Sequence, residues 1–261
     1  MRFAAFADLH GNSAALDAIL ADVERQGIGD IVNLGDSLSG PLDAFGTAER
    51  LIDLDIPTIA GNHDRFIIET RFGPAGAGPW EAWVHPVLKD AHYNWLSALP
   101  RTMSWNGVLL CHGTPASDTT NWLDDRGDNE RMRPATLDEV ERHAKGVTQT
   151  LMLSAHTHLP RVVRLSDGRI AANPGAAGCP AYLDDRFDPP FVAETGTPDA
   201  RYAICDNESG QGWTVRLCTV PYDPSEMAKI ARSKGAESWA VAIETGWTSP
   251  LAVKAPIATS A

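Results

Sequence analysis

The sequence predicts an α/β fold, on three observations. Up to residue 60, apolar runs of strand length alternate with stretches whose apolar residues recur at helical spacing. Each run ends in a polar or glycine-containing turn, the order expected where parallel strands present their loops at one edge. From residue 151 onward the pattern changes to paired strands flanking short turns, the signature of antiparallel hairpins.

Residues 2–7 form the first strand by length and apolarity. Asn12 or Ser13 caps the helix that follows, because Leu16, Ile19, Leu20 and Val23 mark one helical face and Gly27 ends it. Residues 31–34 are a second strand, broken by Gly35-Asp36. Residues 41–54 are a second helix, and 57–60 a third short strand running into Gly61-Asn62-His63-Asp64. Residues 65–83 contain RFGPAGAGPWEAW, whose glycine and proline content predicts a mobile loop. Pro86 opens a helix with Leu88, Ala91, Trp95 and Leu99 on its apolar side. Residues 108–111 are a strand ending at His112-Gly113, and the polar stretch 114–134 predicts a surface excursion. Thr136 and Glu139 are spaced as a capping box for a helix reaching residue 145. Residues 151–153 run into Ala155-His156-Thr157-His158. The hairpins are 161–165 with 169–172 around SDG, and 201–205 with 213–220 around ESGQG. A helix over 225–234 precedes a tail without a strong signal.

Composition narrows the function. A net charge of -12 argues against a general nucleic-acid or anionic-membrane surface, which needs excess Lys and Arg. It leaves room for a small anionic substrate, since bound cations reverse the local field. The four cysteines show no CxxC pair, as expected of free thiols in a reducing compartment. The apolar start is too short for a signal sequence and carries an Asp, and no run reaches membrane-spanning length. A soluble, cytoplasmic protein is the expectation.

The chemistry-bearing residues sit at the predicted strand ends: Asp8, His10, Asp36, Asn62, His63, Asp64, His112, His156 and His158. Five of the eight histidines are among them, whereas His85, His92 and His143 lie elsewhere and carry structural or exposed roles by default. Asp8/His10 and His156/His158 are spaced i, i+2, which on extended backbone turns both side chains the same way and offers two ligands to one ion. Asp, Asn and His without thiolate make an oxygen/nitrogen shell suited to Mn, Fe, Zn, Co or Ni rather than a cysteine-type structural zinc. DxH, HxH or Gly-Asp alone is a weak signal, while Gly-Asn-His-Asp is more specific because folding does not ask for it. Five of the eight tryptophans fall in residues 80–122, where core packing is the first explanation and a lid over the site the rival one.

DLHGN, GD, GNHD, CHG and AHTH, in this order, resemble the five blocks of the calcineurin-like metallophosphoesterase superfamily, and NPGAAG resembles a turn of its small bacterial phosphodiesterase and phosphatase members. The resemblance implies a four-layer α/β/β/α sandwich of two mixed β-sheets over residues 1–221, with residues 222–261 a C-terminal helix and tail packed on or extending from it. It implies two divalent metal ions, Mn or Fe favoured. Asp8, His10 and His158 would hold the first, Asn62, His112 and His156 the second, and Asp36 both. It implies hydrolysis of a phosphodiester or phosphomonoester of a small molecule by a metal-bridging hydroxide. His63 would assist the leaving group and Asp64 would fix its ring; Asn12, Asn62 and His63 would contact substrate, though capping the first helix is the stronger reading of Asn12. Ala155 and Ala176 stand where the family usually has Gly and Ser, which matters at Ala155 if that position needs a positive φ. GDSLSGP departs from the GDxxDRG of protein phosphatases, leaving that reading, a dinucleotide polyphosphate hydrolase and an inactive binding scaffold as alternatives.

Overall fold

Two β-sheets lie face to face and helices cover their outer surfaces, in a computed structural model that describes residues 1–73, 78–128, 130–185 and 188–248. The elements in chain order are β1 (Arg2–Phe6), α1 (Ser13–Arg25), β2 (Asp30–Asn33), α2 (Ala44–Leu54), α3 (Asn62–Glu69), α4 (Pro79–Ala82) and α5 (Asp90–Ala98). Then come β3 (Thr102–Trp105), β4 (Val108–Cys111), β5 (Asp124–Arg126), β6 (Met132–Pro134), α6 (Leu137–His143) and β7 (Leu151–Leu153). The chain continues through β8 (Arg161–Arg164), β9 (Ile170–Asn173), β10 (Ala181–Asp184), β11 (Phe191–Glu194), β12 (Ala200–Asp206), β13 (Thr214–Val220), α7 (Ser225–Ser233) and α8 (Glu237–Thr245). One sheet has the order β13-β12-β1-β2 and the other β3-β4-β7-β9-β8; both are mixed, with the parallel pairs β1/β2, β4/β7 and β7/β9 next to antiparallel ones.

Side-chain alternation makes the layers. Phe3 and Ala5 of β1 point between the sheets, with Val32 and Leu34 from the β2 side and Val108, Leu110, Leu151, Leu153 and Ile170 from the other sheet. Ala4 and Phe6, one residue out of step, face the other way and meet Leu16, Ile19 and Val23 of α1 and Tyr202 and Ile204 of β12. On the far side, Cys111, Met152 and Ala171 pack under Val140 and Ala144 at α6, with Trp122. The predicted four-layer α/β/β/α sandwich is therefore the observed fold. Among the described residues no helix is long and apolar enough to cross a membrane.

Several boundaries differ from the sequence expectation, for local reasons. The second helix starts at Ala44 rather than residue 41, because Asp43 caps it by accepting from Gly46 N–H at 2.9 Å. The third strand reduces to a single bridge between Asn33 and Thr58. The loop expected over 65–83 instead holds the end of α3 and all of α4; residues 74–77 of it lie outside the described residues. The helix expected from residue 86 begins at Asp90, and the excursion at 114–134 folds into the β5–β6 hairpin. The C-terminal segment holds two helices, α7 and α8, which pack on Leu42, Cys179 and Trp80; the predicted tail beyond residue 248 lies outside the described residues.

Candidate metal centre

β1, β2, β4 and β7 end at one edge of the sandwich, and α3 begins there. The turns after them carry Asp8 and His10, Asp36, His112, and His156 and His158, while the start of α3 carries Asn62 and His63. Backbone hydrogen bonds lock these turns together: Asp8 N–H donates to Gly35 O at 3.0 Å, His10 N–H to Asp36 O at 3.0 Å, and Ala155 N–H to His112 O at 2.6 Å. The motif glycines are close-approach positions. A Cβ on Gly35 would lie 2.3 Å from Gly61 N, and one on Gly61 would lie 2.1 Å from Asp36 Oδ1. Among the described residues, eight non-glycine residues have left-handed backbone, and five of them are Asp8, His10, Asp36, His156 and His158. Such backbone costs on the order of 1–3 kcal/mol per residue and persists where the surroundings over-determine it, which points to a site rather than to ordinary turns.

The side chains converge as two groups, Asp8/His10/His158 and Asp36/His112/His156, whose ligand atoms lie within 4.8 Å of one another in each group. Asp36 reaches toward both: its Oδ2 is 3.1 Å from His112 Nε2 and 3.9 Å from His10 Nε2. The far nitrogens of the rings are anchored. His112 Nδ1 bonds Leu34 O at 2.8 Å, His158 Nδ1 bonds Cys179 O at 2.8 Å, and His10 Nδ1 meets Ser39 Oγ at 2.8 Å. A carbonyl only accepts, so His112 and His158 carry their proton on Nδ1 and turn a bare Nε2 inward when neutral.

Three observations test whether a cation fits there. Both carboxylate oxygens of Asp8 are buried without a hydrogen-bond partner. His10 Nε2 and His158 Nε2 face each other at 3.3 Å, and His158 Nε2 lies 3.6 Å from Asp8 Oδ1. With its oxygen inward, the Asn62 amide adds a fourth ligand atom to the second group, 2.9 Å from His156 Nδ1 and 3.3 Å from His112 Nε2; with its nitrogen inward, it donates to those rings instead. Protein atoms alone leave this crowd of acceptors unsatisfied, which is what a divalent cation resolves. Electrostatics agree at three of the four rings. Burial, with the His112 ring adding to it, lowers His156 to about 3, and burial lowers His158 to about 4. Burial likewise holds His10 well below its usual value. These rings are neutral and offer lone pairs at neutral pH. Burial raises the Asp8 carboxyl. Asp36 stays well below the usual range because His112 and His63 outweigh its burial. Burial works against a charged His112, but Asp36 and Asp8 raise it to about 10.

Two sequence assignments are corrected. Asp64 does not fix the His63 ring. Its carboxylate accepts from Asp36 N–H at 2.8 Å, Ser37 N–H at 3.0 Å and Gly61 N–H at 3.0 Å, so it clamps the Asp36 turn to α3. The carboxylate at His63 is Glu81, whose Oε1 is 2.5 Å from His63 Nδ1. Asn12 is not among the cleft residues, which removes its substrate-contact reading and bears out the stronger one: it caps α1 by accepting from Ala15 N–H at 3.0 Å and donates to Gly178 O and to Tyr222 Oη. Ala155 lies outside the left-handed region, so the position does not require glycine. Ala176 is fully buried behind the site, with its N–H donating to His158 O at 3.1 Å.

Above the two groups opens a cleft of about 820 Å³. Asp36, Asn62, His63, His156 and His158 lie at its floor, and Phe66, Trp80, Glu81, Arg126, Tyr182 and Phe191 are among its walls. Trp80 stacks on His63, with centroids 4.8 Å apart and planes at 15°, and meets Trp239 of α8 edge-on at 4.7 Å. Of the five clustered tryptophans, Trp80 therefore belongs to the site, whereas Trp122 is core and Trp105 packs on Phe3. His143 also lines the cleft, while His85 pairs with Tyr93 and His92 with Glu49. Sequence reasoning missed Glu81, Trp80, Tyr182 and Trp239. The signal for Glu81 was a carboxylate set between Trp80 and Trp83 in an otherwise apolar stretch.

The chain can be placed among known proteins from here. An uncharacterized protein of Methanocaldococcus jannaschii is 26% identical over 234 residues, spanning 84% of this chain and 87% of the relative. A metallophosphoesterase structure from Sphaerobacter thermophilus superposes with a TM-score of 0.71 at 24% identity, over 93% of this chain and 98% of that one. A hypothetical protein from Pyrococcus horikoshii OT3 gives the same TM-score at 17% identity, over 94% and 98%. Residues 1–191 match the profile of the calcineurin-like phosphoesterase superfamily domain, and with the strand-end Asp and His groups on this sandwich the chain belongs to that superfamily.

Proposed function

We propose that the protein hydrolyses the ester bond of a small phosphodiester or phosphomonoester at a centre of two divalent cations. Asp8, His10 and His158 would hold one and Asn62, His112 and His156 the other, with Asp36 reaching toward both groups. The observation that carries this reading is the pair of buried Asp8 oxygens without a hydrogen-bond partner, beside the His10 and His158 rings and next to the Asp36/His112/His156 group. When bound, a cation pair supplies Lewis-acid polarisation of the phosphoryl oxygens and an acidified water. The protein's part is charge and placement. Two carboxylates against two +2 ions leave about +2, and the neutral Asn62 and histidine ligands preserve it, so phosphate is drawn into a protein that is acidic overall. His63 is outside both ligand groups and lines the cleft, where it gives a proton to the departing ester oxygen. Phe66, Tyr182 and Phe191 present apolar surface to the organic part of the substrate. The oxygen/nitrogen donor set without thiolate accepts Mn, Fe, Zn, Co or Ni, and the family resemblance favours Mn or Fe among them.

The test is metal analysis of the purified protein joined to a substrate panel of aryl mono- and diesters, cyclic nucleotides and dinucleotide polyphosphates. About two divalent ions per chain with turnover of one ester class is the expected result. Full metal occupancy with no turnover on any ester would make the chain a binding scaffold instead.

A further inference from the structure

Glu81 sits outside every motif of the sequence and is 1% exposed. A buried carboxylate is costly unless something pairs with it. Among the described residues, the ion pair it makes is with His63. Room for it is built in: a Cβ on Gly78 would lie 2.9 Å from Glu81 Oε2. The rest of the His63 environment restrains the ring in the same sense. Trp80 stacks on its face, Phe66 meets it edge-on at 5.7 Å, and His63 N–H donates to Asp36 Oδ1 at 2.8 Å. Asp64, the neighbouring carboxylate, is held by three backbone amides and is not available to the ring.

On the phosphoesterase reading above, we propose that Glu81 is a positioning residue for the proposed proton donor. Accepting from Nδ1–H, it fixes one ring orientation of His63 and turns Nε2 toward the leaving group; in the acid form Nε2 carries a second proton, the departing oxygen takes it, and the ring is left as the neutral Nδ1–H tautomer held by Glu81. Proton transfer depends on such placement, because a ring free to flip offers the wrong nitrogen or the wrong distance for part of the time. α4 is thus an arm that delivers two restraints to one imidazole, Glu81 on its nitrogen and Trp80 on its face.

The test compares Glu81→Ala and Glu81→Gln on phosphate esters differing only in leaving group, phenyl against p-nitrophenyl. A phenolate needs the proton and a nitrophenolate much less. Glu81→Ala is expected to lower kcat on the phenyl ester about 10–100-fold and on the p-nitrophenyl ester less than about threefold, with KM and metal content unchanged. Glu81→Gln keeps an oxygen for Nδ1–H and is expected to stay within about threefold of the wild type on both. In a His63→Gln background, Glu81→Ala should add less than about twofold, since the two residues act as a unit. Independently of turnover, ¹H–¹⁵N correlation spectra of the Zn²⁺-loaded protein should show the Nδ1–H tautomer of His63 in the wild type and its loss in Glu81→Ala. Equal losses on both esters, a loss that survives in the His63→Gln background, or an unchanged tautomer in Glu81→Ala would overturn the proposal. A wild type inert toward every ester would instead overturn the hydrolase reading, leaving the tautomer result to judge the geometry.

Discussion

The floor of the cleft and its aromatic wall differ in where their geometry comes from. On the floor, Asp8, His10, Asp36, His156 and His158 sit on left-handed backbone in short turns, stitched together by main-chain hydrogen bonds and by glycines that let strands approach. On the wall, Trp80 and Tyr182, with Trp239 packed behind Trp80, sit on backbone outside the left-handed region and are brought together by packing between segments far apart in the chain. The floor is set locally and tightly. The wall is set globally, by whatever fills the space between α4, β10 and α8. Damage to the floor should therefore abolish chemistry with the fold intact, and damage to the wall should reach chemistry through stability.

The largest effect is expected from Asp36→Asn, because Asp36 faces both ligand groups. Metal content and turnover should fall together, by more than the ~10²–10⁴-fold that a general acid contributes. Elemental analysis beside an ester assay checks this, and a variant with normal metal content would detach Asp36 from the ligand set. His63→Gln should keep its metal and lose about 10²–10⁴-fold in kcat. Retained turnover there would remove His63 from the reaction and leave the two ligand groups to carry it.

On the wall, Trp239→Ala is expected to cost about 3–5 kcal/mol of stability, the range for deleting a large buried aromatic. Trp239 is 7% exposed, touches Trp80 edge-on, and would meet a Cβ on Gly40 at 2.8 Å, so no neighbour is free to refill the space without moving. Denaturant unfolding measures it. Metal lost from protein that is still folded would show that the wall shapes the floor directly, against the division drawn above.

That division also explains what the sequence disclosed. Asp8 and His10 are two apart because one turn must present both, and Gly61 precedes Asn62 because a Cβ would strike Asp36 Oδ1; short-range causes leave short-range patterns. The alternation of β1 was readable for the same reason, with Phe3 and Ala5 inward and Ala4 and Phe6 outward. Glu81 was not readable as the partner of His63, since eighteen residues and a change of element separate them and nothing in the spacing requires their meeting. Proximity in sequence pointed to Asp64, whose oxygens three amides had already claimed. β10, β11 and α8 escaped for a related reason. β10 and β11 pair with each other outside both main sheets, and α8 carries its apolar residues as one continuous run, residues 239–243, rather than at helical spacing, so its stability comes from docking on Trp80 and Leu42.

The smallest expected effect falls between floor and wall, at Ser39. Its hydroxyl lies 2.8 Å from His10 Nδ1, both residues are fully buried, and Ser39 is not itself a member of either ligand group. Removing such an outer partner frees the ring to rotate and weakens its lone pair without deleting a ligand, a change worth about 10–100-fold in metal affinity. Ser39→Ala should therefore lower affinity at the Asp8/His10/His158 group and leave the Asp36/His112/His156 group near wild type, since His112 is anchored separately by Leu34 O. A two-step metal titration separates the groups, and excess metal should restore turnover. If both steps weaken equally, the groups share one scaffold and cannot be tuned apart; if neither moves, the left-handed backbone at His10 is by itself enough to aim the ring.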